Sequence, residues 1–354
     1  MILAGGGGTR LWPMSRRDLP KQLLPLIDDH SMFKTSVARL APLFPPDRIY
    51  IVTGRKYADA MRAEVPEIPA ENFILEPYGR DNSAATALGI GFIHKRDPLA
   101  TVAILTADHH IAHQARFCDV LAAAYDIAQE DRIVTLGISP SFPATGFGYI
   151  RQGAKLRDMN GFTSYDALEF TEKPNIVTAT QFVASGRYTW NSGMFIWKTT
   201  KALAEFERQQ PTMYKLLLRI MKTIGTPDYE EYLDGVWGKL PRISIDFAIM
   251  EGAEAMVVIP VDIGWSDVGS WASLFEVLES DKLGNSFRGN GNNHVTLDTR
   301  GTLVFSNRLT VTIGIRDLIV IDTPDALLIC HKDRTQEVRD VVKHLRDTEQ
   351  DRYL

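Results

Sequence analysis

Short apolar runs alternate with segments of helical periodicity in the N-terminal part of the chain. The runs that indicate buried strands are 48–53, 72–77, 101–108 and 132–138. Between them, apolar residues recur at helical spacing over 32–43, 82–96 and 114–129. Further strands are predicted in ALEFTEKP, WNSGMFIWK and AMVVIPVDIGW, with helices near 198–223 and 243–251. This alternation is typical of an α/β fold with a mainly parallel sheet.

The sequence changes character after residue 283. The stretch GNSFRGNGNN, residues 284–293, is rich in turn-forming residues and indicates a linker. Apolar residues then recur eight positions apart, which is the spacing of short strands that turn regularly: Val295, Leu303, Val311, Ile319 and Leu327. A charged helix is predicted over 333–347. We therefore expect two domains, 1–283 and 284–354, from a chain of 354 residues.

Composition excludes several classes of partner. The chain has 39 basic and 44 acidic residues, a formal charge of −5, so nothing draws it to nucleic acid or to an anionic membrane surface. It has no run of about eighteen apolar residues that could span a membrane, and its start lacks a signal-peptide pattern. Cys118 and Cys330 lie outside any CxxC pattern, so neither a disulfide framework nor a structural zinc site is indicated. We expect a cytoplasmic protein with small-molecule partners.

Residues 3–10, LAGGGGTR, follow the first apolar residues of the chain. The dinucleotide fingerprint GxGxxG and the P-loop GxxxxGK[ST] both fail here, which leaves a GGxGTR loop with Lys21 eleven residues beyond Arg10. Glycine lets backbone N–H groups face a phosphate. Arginine adds a planar guanidinium group, and lysine adds an ammonium on a flexible side chain. Together, the glycines, Arg10 and Lys21 suit the binding of a triphosphate whose two outer phosphate groups leave as pyrophosphate. From the glycines alone, a tight turn with two solvated cations is an equal alternative.

The longer string GTRLWPMSR, with Pro20-Lys21-Gln22, resembles the signature of the sugar-1-phosphate nucleotidyltransferases, and within them of the mannose-1-phosphate guanylyltransferases. Seven further stretches match in order: LEPYGRD, TADHHI, TGFGYI, FTEKP, WNSGMF, GWSDVGSW and LIVIDTPDALLI. The resemblance implies a Rossmann-like nucleotidyltransferase core, a C-terminal unit resembling a short left-handed β-helix, a terminal helix and a homodimer. It also implies the reaction of GTP with α-D-mannose 1-phosphate, giving GDP-mannose and pyrophosphate.

The resemblance also assigns site residues. Catalysis would rest on Arg10, Lys21, Asp108 and Asp267, and the two aspartates would hold Mg²⁺, a cation that carboxylate oxygens suit. The implied nucleotide site comprises Leu3, Ala4, Gly5, Gly6, Gly8, Thr9, Arg10, Lys21, Arg80, Asp81 and Asn82. The implied sugar site comprises Gly148, Glu172, Lys173 and Asn191. Without the resemblance, each aspartate is better explained as a strand-end cap, and Glu172 with Lys173 as a surface ion pair.

Base recognition departs from the family pattern. Many members read GRNTAPA where this chain has GRDNSAA, so Asp81 replaces an asparagine and the proline is absent. A carboxylate at residue 81 could accept the paired N–H donors of guanine or could cap the following helix.

Proteins with other functions share some of these sequence motifs. A related transferase with another base or sugar, or a catalytically silent protein that binds GDP-mannose, would share most of these motifs. The Asp-His-His of TADHHI also resembles a metal-dependent phosphoesterase motif, but the further aspartate-rich motifs of that class are missing. Zinc bound by His109, His110 and His113 is disfavoured, because adjacent residues of a strand point to opposite faces.

Overall fold

The computed structural model describes residues 1–6, 8–289 and 293–354. Residues 290–292 of the predicted linker lie outside the described residues. The chain forms two compact units, each assembled from separate segments. The first unit comprises Met1–Gly5, Val37–Ala107 and Ile111–Trp265, and the second unit comprises Gly6–Ser36, Asp108–His110 and Ser266–Leu354.

A nine-stranded sheet organises the first unit, in the order β3-β2-β1-β4-β9-β6-β10-β8-β7. The strands up to residue 266 are β1 (Ile2–Leu3), β2 (Ile51–Gly54), β3 (Phe73–Glu76), β4 (Thr101–Thr106), β5 (His110–Ile111), β6 (Ile133–Ile138), β7 (Tyr149–Met159), β8 (Phe162–Thr171), β9 (Tyr188–Lys198), β10 (Met256–Pro260) and β11 (Trp265–Ser266). Strands β1 to β4 are parallel to one another, and so are β6 and β10. Strand β9 lies antiparallel between β4 and β6, and β8 lies antiparallel to β10 and β7. The α/β fold expected from the alternating runs is confirmed.

The predicted segments 82–96 and 114–129 are helical almost throughout, whereas the helices within 32–43, 243–251 and 333–347 are shorter than predicted. The helices are α1 (Met32–Ala38), α2 (Ala58–Glu64), α3 (Asp81–Arg96), α4 (Gln114–Ala128), α5 (Ile176–Ser185), α6 (Thr199–Gln209), α7 (Pro211–Thr223), α8 (Tyr229–Trp237), α9 (Ile245–Ala248), α10 (Trp271–Val277) and α11 (Val338–Asp347). None of the helices among the described residues combines the length and apolar character needed to cross a membrane.

Helix α3 is buried along most of its length and packs closely against its neighbours. A Cβ at Gly89 would lie 2.0 Å from the sulfur of Met1, and one at Gly91 would lie 2.9 Å from Cδ1 of Leu217. Side chains at these two positions would push α3 away from Met1 and α7. The close packing fixes the start of α3, which carries three of the predicted nucleotide contacts.

The eight-residue periodicity of the C-terminal region arises from two parallel ladders in the second unit. The strands are β12 (Ser286–Arg288), β13 (His294–Leu297), β14 (Leu303–Phe305), β15 (Thr310–Ile313), β16 (Leu318–Asp322) and β17 (Leu327–His331). Leu303 pairs with Ile319, and Val295 with Val311, so alternate members of the eight-residue repeat fall in different ladders. Leu303 and Ile319 are fully buried, whereas Val295 and Val311 are about half exposed. The chain therefore coils with a period of two strands, and β17 ends the coil by pairing antiparallel to β16.

Each unit has its own apolar core. Large side chains of the second unit, among them Trp12, Trp271 and Phe305, pack with Leu303 and Ile319 of the coil. The indole Nε1 of Trp271 donates a 2.9 Å hydrogen bond to the carbonyl of Trp12. The segment that follows the glycines is thus anchored in the core of the second unit.

Candidate active site

The glycine-rich loop begins where β1 ends. Gly6 and Gly8 have φ values of +102° and +56°, a region that side-chain-bearing residues rarely adopt. A Cβ at Gly8 would lie 2.6 Å from Cβ of Lys21, so glycine is also required by space. The hydroxyl of Ser15 donates to the carbonyl of Gly8 at 2.7 Å and holds the turn. Thr9 and Arg10 follow in a short 3₁₀ helix with exposed side chains.

Lys21 is the buried cation of this region, with 5% of its surface exposed. Its Nζ donates to Oδ2 of Asp108 at 3.0 Å and to the backbone carbonyl of Asp267 at 2.6 Å. Burial alone would raise the pKa of Asp108, but the charges of Lys21 and His109 and the hydrogen bond from Lys21 lower it below its usual range. Asp108 is therefore a carboxylate at neutral pH. The second unit thus brings together three of the four predicted catalytic residues.

The donor set around Asp108 and Asp267 suits a hard cation. Both residues offer carboxylate oxygens, and Oδ1 of Asp267 also accepts a 3.0 Å hydrogen bond from the backbone N–H of Gly269. No three His, Cys, Asp or Glu side chains of the described residues lie close enough together to hold a metal ion, and this includes His109, His110 and His113. Two carboxylates alone would leave most positions of an octahedral ion to water and to phosphate oxygens.

The four predicted sugar-binding residues form a cluster in the first unit. Glu172 is largely buried and pairs with the ammonium of Lys173, which is exposed. A Cβ at Gly148 would lie 2.6 Å from Oε2 of Glu172, so glycine makes room for that carboxylate. The backbone N–H of Asn191 donates to the carbonyl of Gly148 at 2.8 Å. The cluster combines a carboxylate, an ammonium and an amide, which are the groups that hydroxyls and a phosphate require.

Asp246 belongs to the same cluster but was not predicted from the sequence. Its Oδ1 accepts a 2.9 Å hydrogen bond from Nδ2 of Asn191, whose own Oδ1 accepts from the N–H of Gly193 at 3.0 Å. Burial and the neighbouring charge of Glu172 raise the pKa of Asp246 to about 6. Asp246 lies in the first turn of α9, after the N-cap Ser244, and in the sequence this looks like an ordinary helix start.

An aromatic cluster lies beside these polar groups. Phe147 precedes Gly148 in the chain and makes edge contacts with Trp190 and Trp265, at centroid distances of 5.1 and 5.4 Å. Trp190 directly precedes Asn191. Gly148 and Asn191 are therefore held by packed rings on their N-terminal sides.

The three residues proposed to contact the base have structural partners. Arg80 donates through Nε to the carbonyl of Leu240 at 3.0 Å, and Oδ1 of Asn82 accepts from the N–H of Ile245 at 2.7 Å. Asp81 is exposed, and its Oδ1 accepts from the N–H of Asn82 at 2.8 Å. These bonds tie the start of α3 to residues 240–245. The proposed contacts to a nucleotide stay a prediction.

Comparison with known proteins identifies the family. Residues 1–283 match the model of the Nucleotidyl transferase family, and residues 292–345 match that of the MannoseP isomerase/GMP-like beta-helix domain. The chain is 36% identical over 350 residues to the xanthan biosynthesis protein XanB of Xanthomonas campestris pv. campestris (strain B100), covering 98% of this chain and 73% of XanB. It is 35% identical over 356 residues to the mannose-1-phosphate guanylyltransferase of Escherichia coli K12, covering 98% of this chain and 73% of that enzyme.

A solved structure agrees with this assignment over the whole chain. A Thermus thermophilus protein described as a mannose-1-phosphate geranyltransferase superposes with a TM-score of 0.85 at 34% identity, covering 98% of both chains. The chain therefore belongs to the Nucleotidyl transferase family, in the group formed by the mannose-1-phosphate guanylyltransferases.

Proposed function

We propose that the protein transfers GMP from GTP to α-D-mannose 1-phosphate, giving GDP-mannose and pyrophosphate. One observation carries most of the proposal: a buried lysine, Lys21, contacts Asp108 and Asp267 beside a loop in which Gly8 leaves no room for a side chain. Such a site binds phosphate groups, and the family and its guanylyltransferase members supply the reaction.

The chemistry needs no protein nucleophile. A phosphate oxygen of the sugar phosphate attacks the α-phosphorus of GTP, the bond between the α-phosphorus and the bridging oxygen to the β-phosphorus breaks, and pyrophosphate leaves with the electron pair. Catalysis consists of positioning and of neutralising charge on the leaving group. The exposed guanidinium of Arg10 and the ammonium of Lys21 are the cations we assign to that charge.

We assign a divalent metal ion to Asp108 and Asp267, because the family generally uses one, and we propose Mg²⁺ because both ligands are hard oxygens. When bound there, the ion would add positive charge beside the reacting phosphates. Lys21 already holds Asp108 in its ionised form and fixes the carbonyl of Asp267, so the protein orients both residues before any ion binds.

The cluster of the first unit is assigned to the sugar phosphate. Glu172 would accept hydroxyl donors, Lys173 would meet the phosphate, and Asn191, held by Asp246, would both donate and accept. Gly148 would let the sugar ring approach the backbone. Asp246 acts on the sugar through Asn191 in this scheme and is a positioning residue.

Pyrophosphate release from a panel of nucleoside triphosphates, crossed with a panel of sugar 1-phosphates, tests the proposal. We expect GTP with mannose 1-phosphate to exceed ATP and dTTP by at least about a hundredfold in kcat/KM, because a site built for paired donors rejects bases that lack them. Equal rates with dTTP would point to a transferase for another base. Binding of GDP-mannose without any pyrophosphate release would instead indicate a silent regulator.

Replacing Glu172 by alanine separates sugar binding from chemistry. The bonds from sugar hydroxyls to this carboxylate exist in the ground state and in the transition state alike, and each charged bond contributes about 1.5–3 kcal/mol. We expect Glu172→Ala to raise the KM for mannose 1-phosphate by roughly 10- to 100-fold, with a small change in kcat. The control is Glu169→Ala, in strand β8 three residues before Glu172, which removes an exposed ion pair with Arg151. An unchanged KM in Glu172→Ala would contradict the assignment.

Other expectations stay predictions. They are a homodimer, a cytoplasmic location, the domain division between residues 283 and 284, and the left-handed coil. Gel filtration with light scattering would measure the first of these directly.

A further inference from the structure

The segment that joins β11 to α10 carries Asp267 and is held by hydrogen bonds. The peptide group between Asp267 and Val268 is fixed at both ends: its carbonyl accepts from Nζ of Lys21 at 2.6 Å, and its N–H donates to Oγ of Ser266 at 3.2 Å. The next N–H along the chain, that of Gly269, donates back to Oδ1 of Asp267 at 3.0 Å. The carbonyl and the carboxylate of Asp267 are therefore oriented by the backbone conformation of this segment.

Val268 adopts a backbone conformation that valine rarely tolerates. Its φ is +45°, in the left-handed region, where a side chain branched at Cβ clashes with the backbone. Glycine is the usual residue in this region. The conformation turns the chain back so that Gly269 passes directly beneath the carboxylate, where a Cβ would lie 2.5 Å from Oδ2 of Asp267. The strained residue thus lies where the chain folds back onto Asp267.

The side chain of Val268 is anchored in the core of the second unit. It is fully buried and belongs to the apolar cluster that also contains Leu11, Trp12 and Trp271. Leu11 and Trp12 directly follow Arg10 of the glycine-rich loop. The core that anchors the glycine-rich loop therefore also anchors the segment that carries Asp267.

Resting on the function proposed above, we propose that Val268 is a positioning residue, whose buried and branched side chain holds Asp267 in the orientation that metal and phosphate binding require. A strained conformation persists only where the surrounding structure enforces it, and such residues gather at functional sites. Glycine at this position would adopt the same φ without strain, but it would leave the core unfilled and the carboxylate free to turn. Val268 touches no substrate in this scheme and acts through Asp267.

Two replacements of Val268 separate positioning from packing. Val268→Gly removes the side chain that fixes the segment, whereas Val268→Thr keeps the branched shape and buries a hydroxyl in place of a methyl group. Both variants should lower Tm by a few degrees, because each weakens the core. The control is Val342→Ala, which removes buried methyl groups of the same core from the ordinary helical geometry of α11.

Amide hydrogen exchange in the protein without metal or substrates measures the order of the segment directly. We expect Val268→Gly to raise the exchange rate in peptides that contain residues 266–270 by roughly 10-fold or more, and Val268→Thr and Val342→Ala to stay within about threefold of the wild type. In steady-state pyrophosphate release, Val268→Gly should need about 10-fold more Mg²⁺ for half-maximal kcat, whereas the other two variants should keep the wild-type dependence.

A folded Val268→Gly variant overturns the inference if its segment exchanges at the wild-type rate or if its dependence on Mg²⁺ is unchanged. A Val268→Thr variant impaired as much as Val268→Gly also overturns it, because the position would then act through packing alone. If Val268→Gly does not fold, Val268→Ala, which keeps Cβ and loses the branch, takes its place under the same criteria. A wild-type protein that releases no pyrophosphate from GTP overturns the proposed function instead, and the exchange rates still decide whether Val268 holds the segment.

Discussion

Lys21→Met is expected to lower kcat by at least about 10²-fold while the protein stays folded. Methionine keeps the length of the side chain in the buried position but removes the ammonium that contacts Asp108 at 3.0 Å and the carbonyl of Asp267 at 2.6 Å. Charge on the departing pyrophosphate would then lose its nearest buried cation. Asp108 also loses the charge that lowers its pKa, so its carboxylate is less firmly ionised.

The measurement is steady-state pyrophosphate release at saturating GTP and mannose 1-phosphate. Lys282→Met is the matched control, because Lys282 is an exposed lysine of the same unit. Circular dichroism and Tm report whether the core around Trp12 and Trp271 survives. A folded Lys21→Met variant with more than about half of the wild-type kcat would exclude Lys21 from catalysis.

Asp108→Asn and Asp267→Asn are each expected to lower kcat/KM by about 10²-fold and to shift the dependence on Mg²⁺ to higher concentrations. Both changes keep the size of the side chain and remove its charge. If the two carboxylates hold one ion, the first replacement disables the ion and the second has little left to remove. The double variant should therefore be almost as active as the weaker of the two single variants.

Titration of kcat with Mg²⁺ for the two single variants and the double variant measures this coupling. Asp18→Asn, which alters an exposed acid in the segment before Lys21, is the control for loss of charge alone. Strict additivity of the two effects in free energy would show that Asp108 and Asp267 serve different ions or different steps. Near-native activity of Asp267→Asn at every Mg²⁺ concentration would remove it from the metal site.

The strand and helix pattern was predictable because burial on both faces leaves continuous apolar runs. The run TVAILTAD contains β4, and the eight-residue repeat contains the five strands β13 to β17. The sequence could not show that alternate repeat positions fall in two ladders, since that requires the register between strands. It also could not show that β9 inserts antiparallel between β4 and β6, because such pairing joins segments far apart in the chain.

The site was predictable to the extent that its residues lie in dense local motifs. Lys21, Asp108 and Asp267 were named from three separate stretches, and the structure brings them together. Asp246 was missed because it looks ordinary in its own segment, at the start of a helix. Its significance lies in its burial and in the groups around it, and only the fold reveals those.

The anchoring of the glycine-rich segment also depends on residues that are synthesised more than 300 positions later. Nε1 of Trp12 donates to the carbonyl of Tyr353 at 2.7 Å, and the N–H of Arg17 donates to the carbonyl of Leu354 at 3.2 Å. These bonds join residues more than 300 positions apart, so they form only after residues 353 and 354 have left the ribosome. A nascent chain can build the parallel strands of the first unit earlier, but the loop that carries Arg10 and Lys21 lacks its support until then. A chain that lacks residues 353 and 354 would therefore hold Arg10 and Lys21 without two of the hydrogen bonds that anchor their segment.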